Sequence, residues 1–409
     1  MQVSTMRSLD RYIGIPLCFL MDIVWVIASF FRSHKKREPD LSRTLFIELS
    51  EMGSAVLVDP AMRYLKEKQG SELFFVIFAS NAESLDILDT VARENRFYLR
   101  MHNLLVLAID VVRFMRWCRR KQITAVIDLE LFSRFTALLT VLSGASHRCG
   151  FYAHFDEGFY RGHLLNYPVR YNAHVHISIN FMSLVHSAMG YHKSPYPITP
   201  VEPERLIPVQ ARISAEEINA SQHVLDQLFP AWRDMKIVLF NTNASDLLPQ
   251  RQWMENYFVE LAGILLRERA DVLVVAIGSE EEQKEVQAIV DEVNDNRCCS
   301  LAGKTHLRQL LALYHQATCL LSNDSGPAQF AAVTPLKTFV VFGPETPDLY
   351  RPLGHHIETF YLALPCSPCV SASNHRKTNC TNRQCLSGIY PQKVSKALLD
   401  YLHSLDQDT

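Results

Sequence analysis

Short apolar runs alternate with longer segments of helical periodicity along most of the chain. Arg43–Leu49 reads as a strand that enters the polar turn Ser50–Ser54, and Val56–Lys68 carries a helical repeat. Leu73–Phe78 is a second strand, Glu83–Glu94 a helix, and Met101–Val106 and Ala125–Leu129 further strands. A basic amphipathic helix with Arg113, Arg116, Arg119, Arg120 and Lys121 joins the last two. The second half repeats the scheme. Ile213–Leu228 is a helix, Lys236–Phe240 a strand, and a long helix opens at Arg251-Gln252-Trp253 and runs to about Arg269. Val272–Ile277 is the next strand, Leu307–Tyr314 a helix, and Pro391–Leu405 an amphipathic terminal helix. Such alternation predicts an α/β protein with doubly wound parallel sheets. Prolines at 195, 197, 200, 203 and 208 interrupt it and mark a domain boundary. The expected division is a first domain over 41–200, a second over 201–388 and a C-terminal helix over 389–409. A chain of 409 residues is long enough for two cores.

Ahead of the first strand, Ile13–Phe31 is apolar except for Gly14, Pro16, Asp22 and Ser29, and Arg32, His34, Lys35, Lys36 and Arg37 follow it. The length is just enough to cross a bilayer, and the basic cluster would hold the following domain on the cytoplasmic side. Asp22 in mid-segment opposes a simple span, because a charge at the membrane centre is costly. An interfacial or re-entrant helix competes with the crossing, and a buried core helix is the reading without a membrane. Residues 1–40 are therefore expected to be a membrane-associating segment and linker. No small-residue cleavage site marks a removable signal peptide.

Composition narrows the classes. Lys and Arg total 41 and Asp and Glu 43, a net charge of −2, which gives no footprint for nucleic acid. Hydrophobic residues at 48% and charged residues at 21% are ordinary for a globular protein. Of ten cysteines, Cys18, Cys118, Cys149, Cys298, Cys299 and Cys319 are scattered in apolar or mixed contexts, as in reduced intracellular proteins. Cys366, Cys369, Cys380 and Cys385 form a separate cluster. Four cysteines so spaced can hold a structural zinc, or clip a loop as free thiols. The chain contains neither Gly-x-x-x-x-Gly-Lys-Ser/Thr nor Gly-x-Gly-x-x-Gly, which disfavours an ATPase or a dehydrogenase.

The chemistry concentrates where an apolar strand, Leu320–Ser322, meets Asn323-Asp324-Ser325-Gly326-Pro327 and a helix. Asn323, Asp324 or Ser325 can cap that helix, Pro327 suits its first turn, and its free N–H groups suit a phosphate. Gly326 lets a ligand approach the backbone. A capped strand-to-helix turn also occurs in α/β domains without any ligand. The longer string, which continues through an alanine-rich helix into Val340-Val341-Phe342-Gly343-Pro344-Glu345-Thr346-Pro347, resembles the donor-site signature of the heptosyltransferase-type glycosyltransferases, glycosyltransferase family 9. The resemblance is strongest over 320–352 and extends more weakly over roughly 44–400.

That resemblance implies a GT-B arrangement, two Rossmann-like domains facing a cleft, with the terminal helix crossing back toward the first. It implies inverting transfer of a sugar from a nucleoside diphosphate donor, with no metal required. The acceptor would be a cell-envelope glycan or lipid-linked glycan, at the cytoplasmic face of the inner membrane. The family's loop after the first strand usually carries Gly-Asp, whose carboxylate activates the acceptor hydroxyl. Here the pair is Gly53-Ser54, so Glu51 is the substitute base. Gly53, Ser54 and the aromatic-polar loop with His154, Asp156 and Glu157 are the acceptor candidates. The donor candidates are Asn243, Ser245, Arg251, Gly278, Gly303, Thr305, Asn323, Asp324, Ser325, Gly326 and Pro327. Arg251 stands where the family commonly has Lys, and an arginine pairs with phosphate oxygens in bidentate fashion. The family also shows a Cys-x-Pro-Cys segment like Cys366–Cys369. Competing functions are a nucleotide-sugar epimerase of similar build and a non-catalytic glycan-assembly partner, the latter suggested by the missing carboxylate.

Overall fold

The computed structural model describes residues 10–30, 39–152, 160–191, 194–244, 248–374 and 376–407. The chain divides into two compact units, Met1–Ile207 and Pro208–Thr409.

The first unit contains, in order, α1 (Gly14–Phe30), β1 (Arg43–Ile47), α2 (Ser54–Gln69), β2 (Glu72–Phe78), β3 (Arg96–Leu99), α3 (Leu104–Arg120), β4 (Ala125–Asp128), α4 (Arg134–Leu142), β5 (His147–Phe151), β6 (Tyr167–Val169) and α5 (Ile177–Ala188). The six strands are parallel in the order β3-β2-β1-β4-β5-β6. From β1 the chain moves outward to β3, then returns to the other side of β1 for β4. The strand order therefore reverses between β1 and β4. Helices cover both faces, which is why the strands read as continuous apolar runs. Leu45, Ile47, Phe74 and Val76 pack against Phe114 and Trp117 of α3 and Leu139 of α4. On the other face α2 packs on α5.

Two elements differ from expectation. The helix expected over Glu83–Glu94 is replaced by two 3-10 turns, Ala79–Asp86 and Arg93–Asn95. There Ser84 Oγ donates to Asn81 O at 2.7 Å, and Asn81 Nδ2 donates to Leu49 O at 2.9 Å. The local Ser84 bond competes with an α-helical ladder, and the Asn81 bond ties the turn back to the end of β1. The strand expected over Met101–Val106 lies earlier, at β3. Asn103 Oδ1 accepts from Val106 N at 2.8 Å and starts α3 instead. A short apolar run such as Leu104–Ile109 does not distinguish strand from helix.

For the N-terminal segment, the crossing alternative finds no support. Among the described residues no helix is long and apolar enough to cross a membrane. The 17 residues of α1 reach about 26 Å at ~1.5 Å per residue, short of a ~30 Å hydrocarbon core. The helix lies on α4, with the stripe Gly14, Cys18 and Asp22 turned inward and buried. A Cβ on Gly14 would come within 2.9 Å of the Arg134 Cβ, so the close approach requires glycine. Asp22 accepts from the Tyr160 hydroxyl at 2.9 Å and from His163 N at 2.6 Å. The charge that looked misplaced in a membrane segment is a pin between the helix and the domain.

The second unit contains α6 (Ala215–Leu228), β7 (Lys236–Asn241), α7 (Glu255–Glu268), β8 (Val272–Ile277), α8 (Gln283–Val293), β9 (Cys298–Ser300), α9 (Leu307–Tyr314), β10 (Cys319–Asn323), α10 (Gly326–Ala331), β11 (Lys337–Val341), α11 (Pro347–Tyr350), β12 (Ile357–Phe360), α12 (Gln384–Ser387) and α13 (Pro391–Gln407). Its six parallel strands run in the order β12-β11-β10-β7-β8-β9. The reversal here falls between β7 and β10. Trp253 and Phe258 centre the core, and α13 joins it by packing Val394, Leu398 and Leu402 beside α7. A capping box starts α6. Ser214 Oγ accepts from Glu217 N, and Glu217 Oε2 accepts from Ser214 N at 2.8 Å.

Candidate active site

In open parallel sheets, ligands bind outside the carboxyl ends of the strands, where the strand order reverses. In the second unit that place is the end of β7, Asn241–Asn243, beside the end of β10, Asn323–Ser325. Side chains tie the two ends together. Asn241 Nδ2 donates to Ser322 Oγ at 2.9 Å and to Ser325 Oγ at 2.7 Å. Asn323 Nδ2 donates to Thr242 O at 2.8 Å, while its Oδ1 accepts from Trp253 N at 2.8 Å. Asn323 and Ser325 are thus consumed in holding β7, β10 and the approach to α7.

None of Asn323, Asp324 and Ser325 caps the following helix, contrary to expectation. Ser325 occupies the N-cap position without a side-chain capping bond, and α10 has only six residues. Pro327 sits in its first turn as expected, and the Pro327 carbonyl accepts from the Tyr314 hydroxyl at 3.0 Å. A helix this short supplies little dipole, so the positive field comes from side chains.

Asp324 is buried, and so is Glu345 beyond the end of β11. Arg251 Nη1 stands 3.8 Å from Asp324 Oδ2 and 3.6 Å from Glu345 Oε2. Arg376 Nε donates to the other Glu345 oxygen at 2.9 Å, and its guanidinium lies 4.7 Å over the Tyr350 ring. Burial, then the neighbouring Asp324 charge, pushes the Glu345 carboxyl up to about 8. Burial also raises Asp324, against the opposing pull of Arg251. Asp324 Oδ2 and Glu345 Oε2 are buried without a hydrogen-bond partner. Two guanidinia thus face the carboxyl pair. Arg251 Nε is likewise buried and unpartnered, so the cluster has an unused donor.

Arg251 occupies a 3-10 turn, Pro249–Arg251, rather than opening the long helix, which begins at Glu255. Asn243 is buried near the same strand end, with Nδ2 3.4 Å from Glu285 Oε2. Ser245 lies outside the described residues. Gly278 and Gly303 meet on the far side of β7, where Gly303 N donates to Gly278 O at 3.0 Å. Gly303 has φ +71°, and a Cβ there would approach Glu280 Cα to 3.2 Å, so the turn itself explains this glycine. Thr305 precedes α9, which His306 caps together with Gln309.

The cysteine-rich loop gives no geometric support to zinc. Among the described residues no group of three or more His, Cys, Asp or Glu is arranged to hold a metal. The thiols of Cys366, Cys369, Cys380 and Cys385 are free. Cys369 Sγ lies 3.6 Å from Thr378 Oγ1, and Cys380 Sγ 3.3 Å from Asn382 Oδ1. His375, inside this loop, lies outside the described residues. The loop is fastened to the strand ends by Ser367 Oγ to Gly343 O at 2.8 Å and Cys369 N to Pro344 O at 3.0 Å. Its visible service is to deliver Arg376 to Glu345.

In the first unit the reversal point brings together the Ser50–Ser54 turn after β1 and Glu130 after β4. One Glu130 oxygen accepts from Leu49 N at 2.9 Å, Ser50 N at 3.0 Å and Ser50 Oγ at 2.8 Å. Beneath it, fully buried Arg161 pairs with Asp128, which also accepts from Thr136 Oγ1 at 2.9 Å. Burial pushes the Asp128 carboxyl up to about 6, against the pull of Arg161. Glu51 is half-buried in the turn, Gly53 precedes α2 with an ordinary φ of −65°, and Ser54 is its buried first residue. His154, Asp156 and Glu157 lie outside the described residues.

Glu345 and Glu130 were not among the expected site residues. Each stands just past a strand or in a loop whose partner is remote in sequence. Glu345 carried the clearer signal: a carboxylate directly after an apolar strand and Gly343-Pro344 falls at the carboxyl end of the sheet.

Two parallel-sheet α/β units with polar side chains gathered at both reversal points define a nucleotide-binding type of architecture. Comparison with known proteins makes this specific. The model of glycosyltransferase family 9 (heptosyltransferase) matches residues 111–379, and the chain belongs to that family. Lipopolysaccharide heptosyltransferase 2 of Salmonella typhimurium is 29% identical over 160 residues, which cover 38% of this chain and 43% of the relative. The match thus spans less than half the length of that curated relative. The solved structure of E. coli ADP-heptose lps heptosyltransferase II superposes with a TM-score of 0.68 at 22% identity, covering 90% of this chain and all of that one. A glycosyl transferase family 9 structure from Veillonella parvula gives 0.70 at 18% identity with the same coverage. At these identities the structures establish the fold, α/β of the GT-B type.

Proposed function

We propose that the protein transfers a heptose from ADP-heptose to a lipopolysaccharide-type acceptor at the cytoplasmic face of the inner membrane. The observation that carries this is the cluster of Arg251 and Arg376 around Asp324 and Glu345, set at the strand-order reversal of a family 9 chain. The donor nucleotide and sugar follow the names of the relatives.

An acceptor hydroxyl attacks the anomeric carbon, the bond from that carbon to the diphosphate oxygen breaks, and ADP leaves. The proton of the attacking hydroxyl passes to Glu51. Single displacement inverts the anomeric centre. Arg251 meets the diphosphate and stabilises the charge that develops on it, a service a metal ion gives in other transferases. Asn243, Ser245, Gly326 and Pro327 line the donor side with Gly278, Gly303 and Thr305 beyond β7. Gly53, Ser54 and the loop with His154, Asp156 and Glu157 serve the acceptor.

Release of ADP from ADP-heptose, dependent on added lipid acceptor and unaffected by EDTA, tests the reaction. Arg251→Ala should lower kcat/KM by about 10²-fold or more. Glu51→Gln should lower kcat by about 10²–10⁴-fold with the ADP affinity kept. Transfer at an undiminished rate in Glu51→Gln would remove Glu51 from the base role.

A further inference from the structure

Among the described side chains of helix α1, a narrow stripe holds the domain. Gly14, Cys18 and Asp22 face inward, while Leu17, Phe19, Leu20, Ile23, Val24 and Ile27 are exposed, Phe19 to 58%. A helix that is apolar nearly all round is normally covered by something. The pins beneath it are polar and specific. Asp10, just ahead of α1, accepts from Arg134 N and Phe135 N, both at 2.9 Å, at the start of α4. Asp22 accepts from Tyr160 and His163, as above. These bonds hold the helix lengthwise along the domain, so it cannot stand across a bilayer without breaking them.

A second exposed apolar face belongs to α3. Leu104, Leu105, Ile109 and Val112 point outward, Leu105 to 71%. The same outward stripe then turns basic, with Arg113, Arg116, Arg119 and Arg120 exposed. The one acid of α3, Asp110, is buried and bonded to Arg100 at 2.7 Å. The one acid within α1, Asp22, is buried as well. Helices α3 and α4 share a core cluster on one face of the sheet, and α1 rests on α4. In sequence, Arg32, Lys35, Lys36 and Arg37 follow α1 directly.

We propose that the outward faces of α1 and α3 seat the first unit on an anionic lipid bilayer, with α1 lying in the interface plane rather than crossing it. Apolar side chains flanked by arginines, without exposed acids, match the pattern of helices that bury one face at the headgroup boundary. The charge complement favours lipid over a second copy of this chain, since the same basic stripe would repel itself. The inference stands apart from the identity of donor and acceptor.

Flotation of the full chain with vesicles tests it. The unmodified protein should float with vesicles containing phosphatidylglycerol, float far less with phosphatidylcholine alone, and detach as salt is raised. Each of Arg116→Ala and Arg119→Ala should weaken binding about fivefold. The pairs Leu105→Glu/Ile109→Glu and Phe19→Glu/Leu20→Glu should each abolish flotation, with the near-UV circular dichroism and the ADP response unchanged as the check on folding. Failure of the unmodified protein to float with anionic vesicles overturns the proposal. So does retention of flotation by the α3 pair. Concentration-dependent dimerisation of the unmodified protein without vesicles, lost in the Glu variants, would make the surface a contact between copies and equally overturn it.

Discussion

Glu345 shows how much of the chemistry depends on a single titrating group. Its carboxyl is held above the ordinary range, to about 8, by burial and by Asp324. The folded chain thus keeps a proton that the unfolded chain has already lost. Stability therefore falls as pH rises from the usual carboxylate range through about 8, and levels off above it. Glu345→Gln fixes the protonated form. Its melting temperature, followed by calorimetry between about pH 7 and 9, should decline less than that of the parent. An identical decline in both proteins would mean that Glu345 is already ionised at neutral pH. The arginines and Asp324 were recognisable from sequence because they sit in or near a motif. Glu345 was not singled out, because its meeting with Arg376 depends on a loop of remote sequence folding over the strand ends. Glu51 was reached only through a departure from a family pattern, and the bonds from Leu49 N, Ser50 N and Ser50 Oγ to Glu130 fix the start of its turn.

At the scale of elements, the parallel strands were legible because burial on both faces makes them continuous apolar runs. Leu73–Phe78, Ala125–Leu129 and Val272–Ile277 fall on β2, β4 and β8 with end shifts of a residue. The errors arose where side chains compete with the backbone. Asn81 and Ser84 broke an expected helix, and Asn103 began one where a strand was expected. Asp22 spoke against a crossing already in the sequence, but hydropathy does not reveal that it has partners at Tyr160 and His163, far along the chain. The joint between β7, β10 and α7 likewise rests on one side chain. Asn323→Ala leaves Trp253 N and Thr242 O unpaired in the interior and should cost about 1–3 kcal/mol, measurable as a lowered urea midpoint with an unchanged slope. A loss below about 0.5 kcal/mol would show that water or a local shift replaces the amide.

At the scale of the whole molecule, each unit has its own sheet, core and reversal point, and the described donor candidates lie in the second. Residues 208–409 expressed alone should fold cooperatively and retain nucleotide binding, which calorimetry and titration with ADP would establish. Aggregation of that fragment under conditions that keep the full chain soluble would show that its core depends on the rest. Two units were foreseeable from length and the proline-rich interruption. The match over residues 111–379 takes in parts of both.

The donor site is tested most directly by titrating ADP, GDP, UDP, dTDP and CMP against the full chain and against Arg251→Ala, with melting temperature as the readout. A ligand bound only by the folded state at about 100 times its Kd adds roughly 2.7 kcal/mol of stability. ADP should stabilise the parent above the other nucleotides, and Arg251→Ala should weaken that response at least tenfold. Stabilisation by none of them, or an ADP response equal in both proteins, would contradict the placement of the diphosphate at Arg251.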